Sequence, residues 1–250
     1  MTSSDAFDTE LLRTAVAGLL AHAAAAEAAV LEEAADGVRP EHGDAERWAA
    51  APLVAHNTEF KRQQVHRLEA VLGGTTPRSF AEIDHRSAGY YEACASKPVA
   101  DVAAESREVT AALLAHLRAV ADEDLLDPSR HSWLNGRQLA LQLVVRGFWH
   151  PLGHLGDYHV DRGRADAAYA LHRAAIAEAE RPGVPETVRG MAYYSLGCAQ
   201  ARAGAAAGAL DTLRLAVSLN PDLHAKLARD HDLDALRTAG TLEAIPAPAR

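Results

Sequence analysis

The feature that most constrains this chain is an internal repeat. Leu155-Gly156 returns 41 positions later as Leu196-Gly197, Gly163 returns as Gly204, and Ala168 as Ala209. A chain that repeats at such a period is built from stacked supersecondary units, none of which can bury its apolar face alone. The repeated positions are small residues, which let two antiparallel helices approach closely. In the second copy Pro221 stops the second helix.

That second copy, Tyr193, Leu196, Gly197, Gly204, Ala209, Leu213, Ala216 and Pro221, resembles a tetratricopeptide repeat in its spacing. The first copy, Leu152, Leu155, Gly156, Gly163, Ala168 and Ala175, is weaker, and its proline, Pro182, comes late. The tail Pro221–Ile245 carries Leu223, Leu227, Leu233 and Leu236 and is expected to cap the array, with residues 246–250 frayed. The reading is a helical array over 163–250 joined without a flexible linker to an N-terminal helical domain over 1–162.

The N-terminal part reads as four main helices. The first spans Asp8–Ala35 and is punctuated by Asp36-Gly37. The second begins at Ala45 or at Pro52, which suits a first turn, and runs to Leu72 before Gly73-Gly74. A long excursion, Thr75–Pro98, carries Phe80, Ile83, Tyr90 and Tyr91 and is expected to hold a short helix. The third helix covers Val99–Val120, a connection follows over Asp124–Trp133, and the fourth helix starts near Asn135 as its cap. Nothing alternates long enough for a strand, so the fold class is all-α. Alanine, a good helix former and poor core filler, fits closely packed helices with only 5% aromatic residues.

The charge excludes some partners. At −9 over 250 residues, with no basic stripe, the chain is a poor candidate for nucleic acid or an anionic membrane surface. The run Ala15–Leu31 is interrupted by His22 and Glu27 and reads as a bundle helix. Met1–Glu10 lacks a basic start followed by an apolar stretch, so no export signal is expected. Cys94 and Cys198 are far apart and make no disulfide framework, which fits a reducing cytoplasm.

Among thirteen histidines, three stand out by position. His150 and His154 are four apart on the fourth helix, which stacks two imidazoles on one face as a metal pair requires. His56 falls early in the second helix. Three neutral imidazoles converging in a helical core would bind Zn²⁺, Ni²⁺ or Fe²⁺ and leave positions open for water or a thiolate. An i,i+4 histidine pair is by itself commonly a surface feature. Pro151 also leaves two outcomes: a kink, or a new helix whose changed axis spoils the pairing. Glu59 and Asp157 each lie three residues beyond a proposed ligand, where they could support it or act as a base. His66 and His116 are alternatives to His56. His159 reads as a packing residue, and Cys94 as a small buried one unless it faces the metal.

The stretches Ala55-His-Asn-Thr-Glu-Phe60 and Trp149-His-Pro-Leu-Gly-His-Leu-Gly-Asp-Tyr158 resemble the DinB-like metalloprotein superfamily. That group includes thiol-dependent S-transferases, mycothiol-dependent maleylpyruvate isomerases and colibactin self-protection proteins. The resemblance covers about residues 8–162. It implies an up-up-down-down four-helix bundle with His56, His150 and His154 as metal ligands. It also implies a metal-dependent enzyme acting on an electrophilic small molecule by transfer of a low-molecular-weight thiol, such as mycothiol, or by hydrolysis, in detoxification, self-resistance or natural-product metabolism. Pro151 inside the ligand motif departs from the pattern, as does the C-terminal array. A different reading is a non-catalytic scaffold whose array binds a protein partner or a second copy of the chain.

Overall fold

The computed structural model describes residues 3–35, 43–44, 47–80 and 88–247. Asp36-Gly37, Ala45 and Ile83, named above, lie outside them, as do Pro40 and residues 248–250. All regular elements among the described residues are helical. Contacts divide the chain into two compact units, Met1–Pro151 and Leu152–Arg250.

The first unit contains α1 (Ser3–Ala35), α2 (Ala50–Leu72), the short α3 (Ala88–Ala95), α4 (Val99–Ala119), α5 (Asp122–Leu126) and α6 (Leu139–Val144). Helix α2 packs on α4, α4 on α1, and α1 on both α2 and α6. Leu19, Leu20, Leu68, Leu113, Leu117, Leu125, Leu139, Leu143 and Phe148 are almost wholly buried and form its core. Each such leucine contributes roughly 1.5–3 kcal/mol by leaving water. Helix α1 is long and apolar enough, by length and composition, to cross a membrane. Within this unit its Glu27 is instead buried in an ion pair, 2.5 Å from Lys61 Nζ on α2. The ammonium also donates to Ser106 Oγ at 3.2 Å and Thr110 Oγ1 at 3.3 Å on α4.

The connection over 124–133 carries the end of α5 and a single 3₁₀ turn, Ser132–Leu134. Asn135 does not cap the fourth helix. It adopts a left-handed conformation (φ 52°) closing the 3₁₀ turn, and the helix begins at Leu139 after an extended Gln138. Asparagine tolerates that conformation because its short amide can bond locally. Pro151 neither starts a separate helix nor stops this one. Residues Val145–Trp149 form one wide π-turn, in which the His150 N–H donates to the Val145 carbonyl, and α7 (His150–Val160) follows directly. Proline has no N–H to offer Gly147, and a widened turn just before it absorbs that loss.

The second unit holds the rest of α7 with α8 (Ala165–Ala179), α9 (Glu186–Arg202), α10 (Ala206–Leu219), α11 (His224–Leu227) and α12 (Asp234–Thr238). The 41-residue offset is structural as well as sequential. Gly163 and Gly204 both take positive φ, 69° and 81°, in the turns after α7 and α9. Ala168 and Ala209 are both fully buried. A Cβ on Gly156 would lie 2.3 Å from His172 Nε2, and one on Gly197 2.8 Å from Leu213 Cδ2; positions 172 and 213 are again 41 apart. Two helical hairpins thus close on the same glycine contact. Leu223, Leu227, Leu233 and Leu236 of the tail are buried.

Candidate metal centre

Helix α2 starts at Ala50, with Pro52 in its first turn. His56 is 2% exposed on this helix. The π-turn ahead of His150 leaves His150 and His154 inside the regular α7, so their i,i+4 relation survives Pro151. His56, His150 and His154 each offer a ring nitrogen, and these atoms lie within 4.8 Å of one another. They form a group that could hold a metal ion. His150 Nε2 and His56 Nε2 are 3.2 Å apart. Two nitrogens bound at about 2.05 Å to a tetrahedral ion lie about 3.3 Å apart, so the pair is spaced as ligands. That separation also serves an imidazole–imidazole hydrogen bond. The third imidazole, which such a bond does not need, adds a third nitrogen to the group that could hold an ion.

The ring of His56 is oriented from behind. Its Nδ1 lies 3.2 Å from Tyr90 Oη on α3. With Nε2 turned toward His150, the ligand tautomer carries its proton on Nδ1 and donates it to the phenol. Burial, then the neighbouring Cys94, raise the Tyr90 pKa, which keeps the phenol protonated. Burial likewise raises the Cys94 pKa, so this cysteine stays a thiol beside Tyr90 rather than a nucleophile. Trp48 packs against both His56 (centroids 5.2 Å apart) and Tyr91 (5.3 Å). Phe60, one turn beyond His56, lies 4.9 Å from its ring and 4.4 Å from that of His150. Aromatic walls lower the local polarity around the buried His56, while His150 and His154 stay partly exposed.

The carboxylates named from the sequence are occupied elsewhere. Glu59 pairs with Arg62 at 2.6 Å on the outer face of α2. Asp157 pairs with Arg202, which also bonds Asp161. Burial and then Asp232 raise the Asp157 pKa, against the lowering effect of Arg202. Neither residue is a member of the histidine group. His66 and His116 share Glu69, at 3.0 and 3.6 Å, and are not members either. His159 is buried beside Tyr158. Cys198, Asp230 and Asp232 form a second potential ligand group. There the Arg202 guanidinium already faces Asp232 at 3.7 Å, and Tyr194 Oη donates to Asp230 at 3.0 Å, so protein groups supply the countercharge and the hydrogen bond.

Sequence reasoning missed Trp48 and the Tyr90–His56 bond, because both depend on chain distant from the histidines. It also missed Arg146, although its spacing was visible: Arg146, His150 and His154 recur every four residues. A groove of about 730 Å³ between α1 and α4, lined largely by alanines, contains none of these residues. In comparisons with known proteins, no family model, no curated protein and no solved structure matches the chain.

Proposed function

We propose that the chain is a divalent-metal-dependent enzyme of the DinB-like kind. Its N-terminal unit would be an up-up-down-down four-helix bundle, continued into tetratricopeptide-like hairpins. The observation that carries this reading is the convergence of His56, His150 and His154, with their ligand atoms within 4.8 Å, behind aromatic walls. Three nitrogen ligands leave at least one position open, the arrangement of catalytic rather than structural zinc sites. A divalent ion there would lower the pKa of a water or thiol and polarise an electrophilic partner. Tyr90 would hold His56 in the ligand tautomer, and Phe60 and Trp48 pack on the buried His56 ring. The reaction class that fits is thiol transfer to, or hydrolysis of, an electrophilic small molecule.

Elemental analysis of the untagged protein tests the proposal. About one Zn²⁺, Ni²⁺ or Fe²⁺ per chain is expected, falling to background in His56→Ala and His154→Ala. Wild-type protein that takes up none of these ions when they are supplied would sink it. Loaded protein would then be assayed with electrophiles, with and without mycothiol.

A further inference from the structure

Among the described residues, Arg67, Arg137 and Arg146 meet no carboxylate, and Arg146 stands beside the histidines. His56, Phe60, Gln63 and Arg67 fall within about 60° on one face of α2, at about 100° per residue. On the chain opposite, Arg146 precedes His150 by four positions. The Arg146 guanidinium lies over the Phe60 ring, 5.2 Å from its centroid, and that ring is 4.4 Å from His150. Arg67 lies over Phe80 at 5.2 Å and Trp133 at 5.8 Å. Among the described residues its hydrogen bond is to the neutral Gln64 Oε1 at 2.9 Å. Arg137 is close enough to Arg146, and Arg146 to Arg67, for each pair to repel. Among the described residues none of the three makes an ion pair.

Arg67 and Arg146 are partly buried, where neighbouring like charges are unfavourable. Other partly buried arginines meet carboxylates: Arg13 meets Asp122, Arg62 meets Glu59 and Glu105, and Arg202 meets Asp157, Asp161 and Asp232. The chain carries an excess of acid overall, at net charge −9. Of the unpaired set, Arg146 lies one aromatic ring away from the histidine group. Planar guanidinium forks match carboxylate and phosphate oxygens in two-point contacts; here Phe60 packs on the Arg146 guanidinium, and Phe80 and Trp133 on that of Arg67.

We infer that Arg67 and Arg146, assisted by Arg137, form an oxyanion-binding subsite that takes the carboxylate or phosphate of a small molecule. The subsite deepens the metal-enzyme reading and rests on it for its role: the anionic end of the substrate is held by the arginines while its electrophilic end reaches the histidine centre. Phe60 separates the two ends, so the ligand spans the ring.

Isothermal titration of the full chain with inorganic phosphate and, separately, malonate tests the subsite, in both zinc-loaded and chelator-treated protein. Binding in both forms is expected, weakened about tenfold or more by Arg146→Gln and by Arg67→Gln. The surface control Arg229→Gln should bind as wild type, and a preference between the two anions assigns phosphate or carboxylate. Arg146→Lys, which keeps the charge and loses the fork, should fall between, and serves if a glutamine variant folds poorly. Equal affinity in wild type, Arg67→Gln and Arg146→Gln overturns the subsite. Binding that emerges only when Glu82 and Asp84 are changed to Gln and Asn also overturns it, because the chain's own carboxylates would then be the intended partners. Metal content separates the two readings. Zinc retained without anion binding sinks the subsite alone, whereas anion binding in a protein that never retains metal sinks the metal centre alone.

Discussion

At the scale of single residues, environment decides what each histidine does. His56 is backed by a phenol that would orient it as a ligand, His66 is tied to Glu69 at the surface, and His172 is sealed under Gly156. His172 is 2% exposed, and burial, then His159, lower its pKa to about 4 from an unfolded value of 6.5. The unfolded chain therefore takes up this proton first. Stability is full above about pH 6.5, declines as pH falls toward 4, and levels off below it, a loss of about 3 kcal/mol. His172→Leu should flatten that part of the curve. Leucine already fills the equivalent place at Leu213 against Gly197, so the variant should fold. Chemical denaturation of wild type and variant in chelator, from pH 7.5 to 4, checks this, and parallel curves would refute it.

At the scale of elements, the repeat is held by close approaches of unequal stringency. A Cβ on Gly190 of α9 would meet backbone, the Ala216 carbonyl at 2.9 Å, as well as Asn220 Cβ at 2.6 Å. The same addition at Gly208 of α10 meets only the flexible end of Gln200 at 3.4 Å. Gly190→Ala should cost about 1–3 kcal/mol by overpacking. Gly208→Ala should stabilise by about 0.5–1 kcal/mol, as alanine is the better helix former. Opposite shifts in melting temperature are the expected result. The π-turn is the other element-scale device, since it carries the chain through Pro151 without disturbing the histidine pair. Pro151→Ala returns an N–H to the backbone. If proline causes the wide turn, that variant should exchange its 145–151 amides more slowly.

For each compact unit taken whole, the buried Lys61–Glu27 pair joins α1, α2 and α4 of the first. Both side chains are within 2% of full burial, so their desolvation is offset only while they remain together. Lys61→Met alone leaves the Glu27 carboxylate stranded and should cost about 3–5 kcal/mol. Adding Glu27→Leu should recover most of that loss. Urea midpoints of the single and double variants measure the difference, and a double variant no better than the single would show that the pair does more than neutralise itself.

The sequence by itself determined the helical class, the bounds of α2 and α4 to within a few residues, and the 41-residue correspondence. These are properties of periodicity, capping and glycine spacing, which act over a few neighbouring residues. It also nominated His56, His150 and His154, because two share a helical face and the third sits on another predicted helix. Tertiary structure decided the rest. The fate of Pro151 depended on a π-turn that no local pattern marks. Asp157 pairs with Arg202, 45 residues away, because a carboxylate takes the guanidinium nearest in space, whereas the Glu59–Arg62 pair, three residues apart on α2, is local. The uncompensated arginines became visible only when the packing of helix against helix placed like charges beside the histidines, since separation in space, not in sequence, sets the energy of a charge.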